Sequence, residues 1–154
     1  MQNEHIEFNE FILGLRATDK NQILQNISWK IGRQTNADMT WIADQLLKSE
    51  ENESSGIGDG IAIAHLKSTP LQKPFIVIAK LDQPVEFDSL DGLPVDIVCA
   101  VLSPQMDGPL HLRRLSRVTR LLREPEIIEA LRSATSEDEM KSILRIEQQE
   151  ILAA

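Results

Sequence analysis

Three alternating glycines place the strongest constraint on how this chain can fold. They form the segment Gly56–Gly60, which is followed by a four-residue apolar run at 61–64 and by His65. Glycine adopts backbone angles that side chains hinder, so the segment predicts a tight turn whose N–H groups can approach a ligand. The apolar run is typical of a short buried strand. A histidine where such a strand ends is expected at the mouth of a sheet, a common place for chemistry. The alternative is an ordinary core histidine.

The length and composition of the chain predict a single domain over residues 1–154. The net charge of −8 argues against nucleic acid and anionic membranes as main partners. The single cysteine, Cys99, excludes an internal disulfide and is typical of a reducing compartment. No apolar run approaches the roughly 20 residues of a membrane span, and the first residues lack the features of a signal peptide. The sequence therefore predicts a cytoplasmic protein without membrane insertion.

The chain before the glycines predicts two helices after a lead-in. The lead-in covers residues 1–17 and contains an apolar stretch at 6–15 that is expected to be irregular or strand-like. Asp19 is a candidate N-cap for the first helix, and Gly32 is a candidate stop. Asn36 is the candidate N-cap of the second helix.

Beyond the glycines, three apolar runs predict strands at 75–79, 85–87 and 95–102. A loop is predicted at 67–73. The turn signal Asp91-Gly92 lies between the last two runs, which predicts that they pair antiparallel and that the sheet is mixed.

Three further helices are expected in the last third of the chain. They begin at Gly108-Pro109, at Pro125 and at the capping box Ser136–Glu139. Four apolar residues of the first of them are predicted to face inward: Leu112, Leu115, Val118 and Leu122. The tail at 148–154 is expected to fray. The resulting fold class is a single α/β domain.

A second histidine, His111, lies near the third position of the helix that begins at Gly108-Pro109. The partial positive charge of a helix N-terminus disfavours imidazolium and attracts phosphate oxygens. Together with His65 this suits phosphoryl transfer: one imidazole nitrogen attacks phosphorus, while the other histidine and backbone donors hold the developing charge. The residues alone leave open whether the two rings meet, and an exposed or helix-capping His111 is the alternative.

Other motifs carry less information. Ile61 stands where a dinucleotide-binding motif would need its third glycine, and no lysine follows in P-loop spacing. Arg113, Arg117 and Arg120 share one helical face, which is predicted to be solvated or salt-bridged, with a docking surface for an acidic partner as the alternative. A zinc site would need Asp59 or Asp107 beside the histidines, and no spacing indicates it, so no metal and no cofactor are predicted.

Three segments, in order, resemble the enzyme IIA domain of the bacterial phosphoenolpyruvate-dependent phosphotransferase system, of the fructose/mannitol and nitrogen-regulatory type. They are Ser55–His65, Phe87–Val95 with its Asp-Gly-Leu-Pro-Val end, and His111-Leu112-Arg113-Arg114-Leu115. The similarity runs from about Thr18 to Leu144. With no transporter domain in the sequence, the resemblance favours the stand-alone nitrogen-regulatory branch.

The resemblance implies a five-stranded mixed sheet with helices on both faces. It implies that His65 accepts a phosphoryl group from a histidine phosphocarrier protein and passes it to a IIB-like domain, or signals to a regulatory target such as a kinase or transporter. His111 would then stabilise the phosphoryl group. Four further residues complete the predicted binding site: Ser55, Gly58, Gly60 and Lys48.

Three positions depart from the family pattern. Ala64 replaces the proline before the active histidine, Leu66 replaces the glycine after it, and Ser49 stands where an arginine is frequent, with Lys48 beside it. Lysine does not reproduce the bidentate geometry of arginine, and Leu66 would crowd an approaching phosphohistidine. The alternative function is therefore a regulatory binding homologue that is not phosphorylated. A two-histidine phosphoesterase is disfavoured, because neither histidine begins a His-x-Ser/Thr pattern.

Overall fold

The computed structural model describes residues 6–153, with side chains for residues 6–145. Five strands, five α-helices and one 3-10 turn occur in this part of the chain. In chain order they are β1 (Glu10–Leu15), α1 (Lys20–Gln34), α2 (Met39–Asn52), β2 (Gly56–Gly58), β3 (Ile61–Thr69), β4 (Phe75–Val85), β5 (Val95–Pro104), the 3-10 turn (Gln105–Asp107), α3 (Leu110–Leu122), α4 (Pro125–Ser133) and α5 (Glu137–Ala153).

The five strands form one mixed sheet in the order β1-β4-β5-β3-β2. The central strand β5 pairs antiparallel with β4 and parallel with β3. At the edges, β1 runs parallel to β4 and β2 runs antiparallel to β3. The predicted α/β class and mixed sheet are confirmed.

Alternation along β3 divides the core between the two faces of the sheet. Ile61 and Ile63 pack with residues of α3, α4 and α5, whereas Ala62 and Ala64 pack with residues of α1 and α2. Successive side chains of a strand point to opposite faces, so His65 continues the row of Ile61 and Ile63. The helices lie on both faces as expected, and the strand directs His65 toward α3.

Two helix-end predictions in the first third of the chain are wrong. α1 continues past Gly32 to Gln34, and α2 is capped by Asp38 rather than Asn36. The Asp38 carboxylate accepts hydrogen bonds from two backbone N–H groups of the first turn of α2. A Cβ at Gly32 would lie 2.8 Å from the Cβ of Met39. Gly32 is therefore a packing position for the start of α2, not a helix stop.

Three strands are longer than predicted: β3, β4 and β5. β3 extends to Thr69, so His65 lies within the strand and not at its end. The residues predicted as a separate strand at 85–87 do not form one; Val85 is the last residue of β4 and pairs with Val95. The antiparallel pairing expected across the Asp91-Gly92 turn is nevertheless present. The fifth strand is β2, in the glycine segment itself.

The remaining helix starts agree with the sequence. Asp19 caps α1, α4 begins at Pro125, and the hydroxyl of Ser136 accepts from the Glu139 N–H at the start of α5. The backbone of α5 is assigned through Ala153. The predicted frayed tail at 148–154 lies outside the residues whose side chains are described.

Candidate functional site

The two histidines singled out in the sequence contact each other. Nδ1 of His65 lies 3.0 Å from Nε2 of His111, and the ring centroids are 5.1 Å apart with an interplanar angle of 37°. His111 is 1% exposed, whereas His65 is half-buried. The pair therefore consists of an inner ring, His111, and an outer ring, His65, that can meet solvent or a partner.

The connection between β5 and α3 brings the two rings together. His65 pairs in register with Val101 of β5. Beyond the end of β5, the 3-10 turn and Gly108, with φ of +52°, redirect the chain into α3. His111 is the second residue of that helix, one position earlier than expected. The first turn of α3 is thereby held over the part of β3 that carries His65.

Three residues outside the predicted phosphoryl-binding set extend the pair inward. The hydroxyl of Ser103 lies 2.7 Å from Nδ1 of His111, and Nη1 of Arg114 donates to the same hydroxyl at 2.5 Å. Nη2 of Arg114 donates to the carboxylate of Asp107 at 3.0 Å. Helical spacing puts Arg114 one turn after His111 and could have indicated it. No sequence signal marks Ser103, which lies one residue before the end of the apolar strand β5.

Burial keeps both imidazoles neutral near pH 7. Burial, with smaller contributions from His65, Arg114 and Lys67 and against an opposing effect of Asp107, lowers the pKa of His111 to about 4. Burial also lowers the pKa of His65, where Glu53 opposes the shift and Lys67 supports it. Two neutral rings at 3.0 Å share one hydrogen bond, so one ring donates and the other accepts.

A cavity of about 410 Å³ lies beside His65, between the end of α2 and the side of α3. Its lining includes Ser49, Glu50, Asn52, Glu53, Ser54, Ser55, Ile57, Leu115 and Thr119. Among the described residues that line it, two are carboxylates and none is a lysine or arginine. The side of His65 that faces this cavity is consequently acidic.

Ser55 lies in this cavity and is bonded to a buried carboxylate. Its hydroxyl donates to Oε1 of Glu50 at 2.6 Å, and its backbone N–H donates to Oε2 at 2.9 Å. Nζ of Lys20 donates to the same Oε2 at 3.2 Å. The Glu50 side chain is 6% exposed. Ser55 thus helps to fix the segment that precedes β2, and its hydroxyl proton is already used.

The glycine turn lies away from the histidine pair. Gly58 and Gly60 have φ of +101° and +81°, as a tight turn requires. The N–H of Asp59, between them, donates to the carboxylate of Asp91 at 2.9 Å. Five residues of extended chain, about 16 Å, separate Gly60 from His65. The structure therefore does not bring these glycines to the histidines, and the Asp59 amide is used within the protein.

Lys48 also lies outside the cavity. It is exposed on α2, where it forms an ion pair with Asp44 at 3.8 Å. The adjacent Ser49 lines the cavity instead. Of the predicted binding residues, the structure brings Ser55 near His65 and leaves Lys48, Gly58 and Gly60 elsewhere.

Among the described residues, no group of three His, Cys, Asp or Glu side chains is placed to hold a metal ion. None of the helices in the same part of the chain has both the length and the apolar character needed to cross a membrane.

Comparison with known proteins places the chain in a family. The family model described as "Phosphoenolpyruvate-dependent sugar phosphotransferase system, EIIA 2" matches residues 4–146. A nitrogen regulatory protein of Bradyrhizobium diazoefficiens is 36% identical over 132 residues, covering 86% of each chain. The nitrogen regulatory protein of Escherichia coli is 33% identical over 126 residues, covering 81% of this chain and 77% of the relative.

Solved structures show the same fold. Nitrogen regulatory protein IIA-Ntr from Neisseria meningitidis superposes with a TM-score of 0.80 at 24% identity, covering 88% of this chain and 92% of the other. IIA mannitol from Escherichia coli gives a TM-score of 0.73 at 19% identity, covering 87% and 94%. The family match over nearly the whole chain and the relatives above 30% identity lead to one conclusion: this chain belongs to the EIIA 2 family of the phosphoenolpyruvate-dependent sugar phosphotransferase system, alongside nitrogen regulatory proteins.

Proposed function

We propose that this chain is a phosphocarrier of the nitrogen-regulatory type, which accepts a phosphoryl group from a histidine phosphocarrier protein onto His65. The single observation that carries the proposal is the contact of the two neutral imidazoles, with one of them half-buried and accessible. A neutral imidazole is a nucleophile toward phosphorus, and a second imidazole can take up the charge that develops on the first.

The geometry favours Nε2 of His65 as the acceptor atom, because Nδ1 of the same ring is engaged with His111. The Nε2 lone pair forms the new N–P bond while the N–P bond of the donor phosphohistidine breaks, and the donor ring keeps that electron pair. His65 then carries a positive charge, and its Nδ1–H donates to Nε2 of His111. The low pKa of His111, about 4, keeps that ring neutral, so one of its two nitrogens can accept a hydrogen bond.

The amino end of α3 supports the same role. None of the described side chains caps this helix, and its first turn carries the partial positive charge of a helix N-terminus. Lys67 lies two residues after His65 on the same face of β3 and is exposed. Both features favour a negative group on the outer ring.

The proposal includes a use for the phosphorylated state. The chain would pass the group to a IIB-like domain, or would bind a regulatory target such as a kinase or transporter differently in its two states. A complex of enzyme IIA mannitol with phosphorylated enzyme IIB mannitol is known for a structural relative with a TM-score of 0.73. The same proposal locates the chain in the cytoplasm.

A second candidate function is a regulatory binding protein that is not phosphorylated. The observation that favours it is the cavity beside His65, which contains Glu50 and Glu53 and has Ser49 where the family often has arginine. These carboxylates repel a phosphoryl dianion, Glu50 less than Glu53 because Lys20 forms an ion pair with it. In this function the domain would bind its target in a single state.

Labelling separates the two candidates. The chain is incubated with phosphoenolpyruvate, the general first enzyme and the histidine carrier, and intact mass is measured. A phosphocarrier gains one acid-labile phosphoryl group, which is absent in His65→Ala and retained in His5→Ala, the control for the third histidine. A label that persists in His65→Ala refutes the site assignment. No label at high carrier concentration, with a target still captured, establishes the regulatory function.

A further inference from the structure

We propose that Ser103, held by Arg114 and Asp107, is a positioning residue that sets which ring nitrogen of His65 carries the proton. The proposal deepens the phosphocarrier function and rests on it only for the effect on reaction rate. Protonation of the ring can be measured without any carrier protein.

The Ser103 side chain is fully buried. Within the described part of the chain its oxygen makes two hydrogen bonds, one with Arg114 and one with His111. A guanidinium only donates, so Ser103 accepts from Arg114. The hydroxyl proton then has one available acceptor, Nδ1 of His111 at 2.7 Å. In the opposite arrangement the oxygen would accept twice and leave its own proton buried without a partner, which is unfavourable.

This assignment fixes the protons of both rings. A neutral His111 that accepts at Nδ1 carries its proton on Nε2. That proton is donated to Nδ1 of His65 at 3.0 Å. A neutral His65 that accepts at Nδ1 carries its own proton on Nε2. In the resting protein the outward nitrogen of His65 is therefore a donor without a free lone pair.

Asp107 keeps this arrangement in place. Its carboxylate bonds Arg114 at 3.0 Å, and the two side chains are 17% and 12% exposed. A guanidinium anchored at one end presents its other nitrogen to Ser103 in a fixed direction. A hydroxyl that accepts a charge-assisted hydrogen bond is also a stronger donor to its next partner. The proton position on His65 is thus set through a chain of hydrogen bonds that runs from Asp107 through Arg114 and Ser103 to His111.

His65 is therefore a poor nucleophile in the resting protein, because its outward nitrogen is protonated. Attack on phosphorus needs the other tautomer, in which Nδ1 of His65 is protonated and Nε2 has its lone pair. To reach this tautomer, His65 and His111 each lose the Nε2 proton and gain a proton at Nδ1 by exchange with water. The Ser103 hydroxyl rotates at the same time, and the total number of protons is unchanged. The rate of phosphoryl acceptance then scales with the fraction of molecules in that tautomer.

Nitrogen-15 NMR of the uniformly labelled full chain tests the assignment directly, because ring shifts and long-range couplings distinguish the two tautomers. At pH 7, without partners, both His65 and His111 are expected to be protonated at Nε2. Ser103→Thr keeps the hydroxyl and is expected to keep this pattern. Ser103→Asp places an acceptor-only carboxylate beside Arg114, and both rings are expected to shift to Nδ1–H. The aspartate variant should also accept the phosphoryl group about tenfold faster, or more.

A proton on Nδ1 of either ring in the wild-type chain overturns the proposal, as does a change of tautomer in Ser103→Thr. An unchanged pattern in a folded Ser103→Asp overturns it as well. The wild-type spectrum is decisive even if the aspartate variant does not fold. Failure of every variant to become labelled would refute the phosphocarrier function and leave the tautomer result intact, so the two failures are distinguishable.

Discussion

Nδ1 of His65 lies 3.0 Å from Nε2 of His111, which is 46 residues further along the chain. Because the inner ring is buried and has a pKa of about 4, this contact is formed by two neutral rings. Protonation of the inner ring would bury a charge close to the Arg114 guanidinium. The pair therefore links the stability of the fold to pH.

Acidification is expected to destabilise the protein through His111. Its pKa is about 4 in the folded chain and about 6.5 in the unfolded chain, so the unfolded state binds more protons between those values. The contribution is complete above pH 6.5 and is lost as the pH falls toward 4. Between pH 7 and pH 5 the free energy of unfolding should fall by about 2 kcal/mol from this residue alone. Urea unfolding at the two pH values measures it.

The matched control for this experiment is His111→Gln, which cannot titrate. Its free energy of unfolding at pH 7 is expected to be lower than that of the wild type, but the loss between pH 7 and pH 5 should be smaller by about 2 kcal/mol. Equal losses in the two proteins would show that the titration of carboxylates, and not of His111, dominates.

Removal of the Glu50 side chain is expected to destabilise the fold by about 2–3 kcal/mol. Glu50→Ala leaves the hydroxyl and N–H of Ser55 without their acceptor and removes one of the two carboxylates that Lys20 contacts. The neighbouring Glu51 is exposed and has the same helix propensity. Glu51→Ala should change the stability by less than about 0.5 kcal/mol. Thermal or urea unfolding of the pair tests the difference.

An added methyl group at Gly60 is expected to cost more than one at Gly92. Both glycines have positive φ, +81° and +74°, so both alanine variants pay for the left-handed backbone, about 1–2 kcal/mol. A Cβ at Gly60 would lie 2.5 Å from Nη2 of Arg132 and 2.9 Å from Oδ1 of Asp96, whereas a Cβ at Gly92 meets nothing within 4 Å. Overpacking adds about 1–3 kcal/mol at Gly60. Equal losses for Gly60→Ala and Gly92→Ala would contradict the packing around Arg132.

Arginine at position 49 is expected to stabilise a phosphoryl group on His65. Ser49 lines the cavity beside His65, where the described lining residues carry only negative charge. Ser49→Arg adds a bidentate donor, and the phosphorylated chain should lose its label severalfold more slowly. Ser49→Gln adds similar length without charge and should not. Labelling of the arginine variant alone, with none in the wild type, would instead favour the non-phosphorylated regulatory function.

Local signals predicted most of the fold because they depend on neighbours in sequence. Asp19, Pro125 and Ser136 mark helix starts through caps and fixed φ values, and the apolar runs mark the central strands. The extension of β3 through Thr69 was missed because it depends on pairing with β5: the Thr69 hydroxyl donates to the Ser103 carbonyl. Tertiary pairing overrode the polar composition of residues 67–69.

The histidine site could be predicted only in part from the sequence, because its contacts are also tertiary. The family resemblance, not the spacing, supplied the expectation that His65 and His111 meet. The inward prediction for Leu112 is wrong, since it is 67% exposed, while the adjacent His111 is buried. Apolar periodicity cannot show that a histidine takes the inner position of a helix turn. The hydrogen bonds of Ser103 join a strand end to a helix and leave no pattern in either segment alone.

His65 lies on a strand that pairs with β5 in register at Val101, and its ring contacts a second, buried ring. An imidazole on a loop could reorient from one partner protein to the next, but the strand holds the His65 ring in one position. Any two proteins that exchange a group with it must therefore dock on the same face by turns, each leaving before the other arrives. Two such partner proteins would therefore compete for the surface around His65.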